Sequence, residues 1–127
     1  MGQVLIDSCV LIDVLRGHAR ALDFLIGLEK TPLVAAVTIG ELFSGAPRPG
    51  EEARIIELSL QLKLVPADFA VARLGGTFCR QYGASHGVTL IDALIAASAR
   101  LCRAPLVTRN VRHFPMLDNL VVPYRLN

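Results

Sequence analysis

The chain has little that would staple or anchor it. Its three cysteines, Cys9, Cys79 and Cys102, are odd in number and far apart. Their apolar or helix-patterned neighbours predict reduced, buried thiols, which excludes a disulfide framework or a zinc site. No apolar run is long, because charges, glycines and prolines break each one well before the roughly 18 residues that a membrane span needs. The 53% apolar content and mean hydropathy of +0.50 therefore describe the core of a soluble protein with no membrane association. Neither a basic, cleavable leader nor a myristoylation pattern opens the chain, so the cytoplasm is the expected location. Repeats and low-complexity tracts are missing too, and residues 1–127 are predicted to form a single domain, able to bury roughly two thirds of the surface its unfolded chain exposes. Lysine is scarce: eleven of the thirteen basic residues are arginine, whose planar fork suits phosphate.

What is present alternates. Short apolar runs at Val4 to Ile6, Leu33 to Val37, Leu64 to Val65, Pro105 to Thr108 and Leu120 to Val122 predict strands, with Leu33 to Val37 as a central one. Between them, helical spacing covers Cys9 to Leu15, Ala19 to Glu29, Thr38 to Gly45, Glu51 to Leu62, Ala67 to Tyr82 and Thr89 to Ala104. The segment APRPG at Ala46 to Gly50 is a break, Gly75-Gly76 a weak point, and Gly83 to Gly87 a loop. Strands alternating with helices imply an α/β sandwich with a parallel sheet covered on both faces.

In such sheets ligands gather beyond the carboxyl ends of the strands. Asp7 ends the first strand, Glu41 lies a helical turn beyond the second, Asn110 follows the strand at Leu106 to Thr108, and Asp92 enters on the first turn of the preceding helix. A purely structural reading competes: Thr38 to Glu41 and Thr89 to Asp92 both fit T-x-x-[DE], in which the threonine caps a helix and the acid reaches back. It leaves Asp7 unexplained, and also the gathering of acids at one end of the sheet. Three carboxylates in mutual contact would cost on the order of 10 kcal/mol at an effective dielectric near 20, which rivals the total stability of a domain. Oxygen ligands without nearby His or Cys favour Mg²⁺ or Mn²⁺ as the neutralising ion. Setting those three acids aside leaves 13 basic against 8 acidic residues (11 minus 3), a surround suited to a polyanion.

VLIDSCVLID, TIGELFSGA, TLIDALIAASA and LVTRNVRHF, in this order and spacing, resemble the PIN-domain ribonucleases, most closely the VapC-like toxins of type II toxin/antitoxin pairs. The resemblance spans essentially the whole chain and implies a PIN-like three-layer sandwich. It implies a metal-dependent endoribonuclease in which Asp7 and Asp92 hold Mg²⁺ or Mn²⁺ with help from Glu41. Ser8 is the hydroxyl neighbour of the first acid, and Asn110 and Thr108 position water for in-line attack, leaving a 5′-phosphate and a 3′-hydroxyl. Arg109 and Arg112 would meet the RNA backbone. A cognate antitoxin and a homodimer are the implied protein partners. Two positions depart from the family pattern: Asn110 stands where a fourth Asp is frequent, and Cys9 where Asn is common.

Asp13, six residues past Asp7, is predicted to lie on the solvent side of its helix and pair with Arg16 at i+3. His113 is expected to pack on Phe114, and His18 and His86 to be surface residues. Phosphoaspartate enzymes fit poorly, lacking the second Asp at position 9 or a late lysine. A non-catalytic PIN-fold module that binds RNA or protein, its acids merely capping helices, is the alternative function.

Overall fold

The computed structural model describes residues 2–46 and 48–125; Pro47, inside the expected break, falls outside them. Five short strands, β1 (Leu5–Ile6), β2 (Leu33–Ala35), β3 (Lys63–Val65), β4 (Leu106–Val107) and β5 (Leu120–Val121), pair in the order β3-β2-β1-β4-β5. Every pairing is parallel, with Leu5 opposite both Leu33 and Leu106. The helices are α1 (Ser8–Leu15), α2 (Ala19–Ile26), α3 (Ala36–Ser44), α4 (Glu51–Ser59), α5 (Phe69–His86) and α6 (Leu90–Cys102), with a 3-10 turn at Val111–His113.

Strand side chains alternate between faces, and the alternation divides the core in two. Leu5, Leu33, Ala35 and Leu106 point to one side, where α6 supplies Ala93, Ile95, Ala96, Ala97 and Ala99, and α5 supplies Val71 and Phe78. Val4, Ile6, Val34 and Val107 point to the other, against Val10 and Leu11 of α1, Leu42 of α3 and Ile55 of α4. This is the three-layer α/β sandwich expected from the alternating pattern, and β2 is an interior strand as expected, buried throughout and paired with β1 and β3. The run at Leu33 to Val37 is a strand only to Ala35, and α3 starts at Ala36.

The glycines of α5 behave differently from the sequence expectation. The helix passes through Gly75-Gly76 and continues over Gly83 to His86, where a loop was predicted, ending at Gly87 with φ +66°. A Cβ at Gly75 would come within 2.6 Å of Leu94 Cδ2 and 3.2 Å of Leu94 Cα. Gly75 is thus the point of close approach between α5 and α6, and not a weak point. Two cysteines also differ from expectation: Cys9 is buried, but Cys79 is only half-buried and Cys102 is exposed.

Candidate active site

Strand order reverses between β1 and β4: from β1 the chain winds outward through β2 and β3, then returns to β4 and β5 on the other side. The crevice beyond the carboxyl ends of two such strands is where open α/β sheets bind ligands. Asp7 leaves β1 there and Thr108 leaves β4. Asp7 is also the N-cap of α1, its Oδ1 accepting from the Ser8 amide at 2.8 Å, so the positive end of the helix faces its charge. Its Oδ2 accepts from Thr108 Oγ1 at 2.7 Å and from Cys9 Sγ at 3.4 Å. Thr108 Oγ1 in turn accepts from the Asn110 amide at 2.9 Å. Asp7 is 3% exposed, and all its donors are neutral.

Glu41 and Asp92 face the same charge. Burial pushes the Glu41 carboxyl up from its ordinary value, with the charges of Asp7 and Asp92 adding to it and the Ser8 hydroxyl offsetting part. Burial likewise raises Asp92; His113 and the Thr89 hydroxyl work against the rise, and Asp7 works with it. The three carboxylates therefore lie within mutual electrostatic reach, each half-buried or more. Capping does not account for them equally. Thr89 does cap α6, its Oγ1 accepting from the Asp92 amide at 3.2 Å. Thr38, by contrast, is the third residue inside α3, whose N-cap is Ala35. Thr38 is fully buried with its hydroxyl unpartnered, and so is Glu41 Oε1. The cap expected at Thr38 to Glu41 is absent because α3 begins two residues earlier, which leaves Glu41 free of any capping duty.

A hard divalent cation fits this donor chemistry: the three acids offer carboxylate oxygens, one of them is buried without a partner, and no Lys or Arg forms an ion pair with any of the three among the described residues. Yet no group of three or more His, Cys, Asp or Glu side chains among those residues is gathered into a ready ligand set. A groove of about 430 Å³ opens beside Glu41 and runs between α1, α3 and α4, lined in part by Arg16, Arg48 and Arg54 over the apolar Ile12 and Ile55. It meets the carboxylate cluster only at Glu41.

Several residues stand elsewhere than the sequence suggested. Asp13 does not face solvent or pair with Arg16; it is 5% exposed and takes Arg109 Nε at 2.8 Å and Nη2 at 3.3 Å. Its placement follows from helical phase, since Cys9 and Asp13 are four apart and share one buried face of α1. Arg109, expected at the RNA backbone, is thereby occupied within the protein. Tyr124 adds a third donor to Asp13 at 2.6 Å, and its phenol is pushed above its usual range by burial and by that charge. His113 tilts against Phe114 as expected, but its Nδ1 also stands 3.3 Å from Asp92 Oδ2. His18 stacks on Tyr124 and is only partly exposed, whereas His86 and Arg112 are exposed. The Asn110 side chain, unlike its backbone amide, makes no hydrogen bond among the described residues. Nothing in the local sequence marked the Tyr124 contact, which spans 111 positions. His113 was visible within LVTRNVRHF, but only the 3-10 turn at Val111–His113 aims it back at α6.

The PIN domain family model matches residues 4–119. Ribonuclease VapC10 of Mycobacterium tuberculosis is 39% identical over 124 residues, covering 95% of this chain and 92% of that protein. Ribonuclease VapC19 of the same organism is 38% identical over 126 residues, covering 94% and 98%. Among solved structures, a toxin–antitoxin complex from Klebsiella pneumoniae superposes with a TM-score of 0.84 at 25% identity, over 98% of this chain and 100% of that one.

Proposed function

The chain belongs to the PIN-domain family, and from that premise we propose that it is an endoribonuclease, the toxin of a toxin/antitoxin pair, which hydrolyses RNA phosphodiester bonds with Mg²⁺ or Mn²⁺. The observation that carries the metal assignment is the carboxylate cluster: Asp7, Glu41 and Asp92 repel one another, among the described residues no Lys or Arg pairs with any of them and only His113 stands beside Asp92, and Glu41 Oε1 is buried without a partner. These three side chains would hold the ion. When bound, it supplies a Lewis acid for the phosphate and a lowered pKa for water.

The chain's own groups do the rest. Ser8, Thr108 and Cys9 fix the Asp7 carboxylate in one orientation through four contacts, so its geometry is set before substrate arrives. Because the Thr108 hydroxyl is committed to Asp7, the side-chain amide of Asn110 is the group left to orient the attacking water. Arg112, together with Arg16 and Arg48 along the groove, presents guanidinium groups to the RNA backbone, while the Arg54 guanidinium there donates to Leu15 O. A cognate antitoxin that covers the crevice, and a homodimer, belong to the same reading; the Klebsiella relative is itself a toxin–antitoxin complex.

The test is cleavage of RNA by the purified protein. Cleavage should require Mg²⁺ or Mn²⁺ and be lost in Asp7→Asn and Asp92→Asn with the fold retained, because Asn can replace Asp7 as the cap of α1 and Asp92 is not the cap of α6, where Thr89 holds that place. Cleavage that survives both substitutions would refute the site. A second reading, a PIN-fold module that binds RNA or protein without cleaving, draws on the lack of a ready three-ligand set. It requires that millimolar Mn²⁺ leave thermal stability unchanged, whereas an ion held only by the native state must raise it.

A further inference from the structure

Building on the nuclease reading, we propose that Asp13, Arg109 and Tyr124 form a positioning network that holds the segment Thr108–Asn110 against α1 and so fixes the orientation of Asp7. Arg109 sits between the two residues whose polar groups reach the crevice, and it is tied at both ends. Its amide donates to Cys9 Sγ at 3.4 Å, and its guanidinium grips both oxygens of Asp13. Cys9 and Asp13 lie on the same face of α1, one turn apart, so the helix holds this segment at two points. Between them runs the chain of hydrogen bonds that ends on the metal-binding carboxylate: Asn110 amide to Thr108 Oγ1, and Thr108 Oγ1 to Asp7 Oδ2.

The C-terminal segment closes the network from behind. The Thr108 amide donates to Val121 O at 3.0 Å. Three residues on, Tyr124 donates to the same Asp13 oxygen that accepts from Arg109 Nε. Its ring stacks on His18 at 5.8 Å and 17°, and the His18 amide donates to Asp13 O at 2.9 Å. Hydrogen-bond networks of this sort specify one geometry more than they add net stability. Here the geometry specified is that of Thr108, whose single hydroxyl orders both Asp7 and Asn110.

Three variants test this: Asp13→Asn, Arg109→Lys, which keeps the charge but not the fork, and Tyr124→Phe, which keeps both the ion pair and the stacked ring. At saturating metal, kcat should fall about tenfold in the first two and about threefold in the third, as expected for a slight misplacement of catalytic groups. KM for RNA should stay constant, and the double variant Asp13→Asn/Arg109→Lys should be no worse than either single one. Independently of activity, the Arg109 and Asn110 amides should exchange hydrogen faster in all three variants while α6 stays protected. A rise in KM with kcat preserved in Arg109→Lys would assign the guanidinium to RNA and overturn the proposal. So would unchanged exchange at Arg109 and Asn110, or a uniform loss of stability with kcat intact. Should the parent protein cleave no RNA, the nuclease reading fails and the exchange measurement alone still decides whether the network orders the segment.

Discussion

Asp7 and Asp13 are six residues apart, both nearly inaccessible to solvent, and they are satisfied in opposite ways. Asp13 has a guanidinium and a phenol; Asp7 has an amide, two hydroxyls and a thiol, none of them charged. A buried carboxylate paired with arginine is electrically complete and acts through geometry. One held by neutral donors beside two more carboxylates is oriented but not neutralised, which is the condition a metal-binding residue needs before its ion arrives. The thiol follows the same logic: burial and the charge of Asp7 push Cys9 up, so it remains a neutral donor.

The largest test of this contrast is to remove the complete pair. Asp13→Ala should cost about 3 kcal/mol in urea unfolding, the lower end for a broken buried pair because Arg109 retains some solvent contact. A loss below about 0.5 kcal/mol would mean that the pair is no more than a surface contact. Asp7→Asn should do the reverse: RNA cleavage falls at least about a hundredfold, equivalent to roughly 2.7 kcal/mol in the barrier, while metal-free stability holds or rises because a repelling charge is gone.

A smaller effect separates the two aspartates through metal. Mn²⁺ at a hundred times its Kd should stabilise the parent by about 2.7 kcal/mol, stabilise Asp13→Asn by a similar increment, and leave Asp7→Asn nearly unaffected. pH gives a weaker signature. Glu41 and Asp92 hold their protons more tightly in the folded chain than at their ordinary values of 4.5 and 3.8. Between those values and the raised ones the native state binds more protons than the unfolded state. Metal-free stability from these two groups is therefore greatest below the ordinary values and is lost as pH rises through the raised ones. Saturating Mn²⁺ should reduce or reverse that slope, since the ion binds the ionised forms. Smallest of all, His113→Gln should move the acid limb of the activity profile upward by a fraction of a pH unit, because His113 favours the charged form of Asp92; a downward move would contradict that role.

How much of this was legible depended on distance along the chain. Alternating strand and helix periods gave the parallel sandwich, and strand-end placement gave Asp7 and the Thr108–Asn110 segment. Helix phase was harder. Whether α3 began at Thr38 or two residues earlier decided whether Glu41 was a capping residue or a free carboxylate, and no residue at Ala35 or Ala36 announces a cap. The fate of Gly75 was hidden for a related reason, since a glycine that breaks a helix and one that lets a second helix approach look alike until Leu94 is placed against it.

By itself the sequence determined the periodicities, the motif order and the set of acids available to a metal, all of which are local or additive properties. Tertiary structure decided which acids were neutralised. Whether a carboxylate has a cation or another donor within about 3 Å depends on contacts such as those of Asp13 with the Arg109 guanidinium and the Tyr124 phenol, 96 and 111 positions away, and a charge's environment is set by what lies near it in space. VLID is written twice within VLIDSCVLID, at Val4 to Asp7 and Val10 to Asp13, and folding gives the two aspartates different partners and different work.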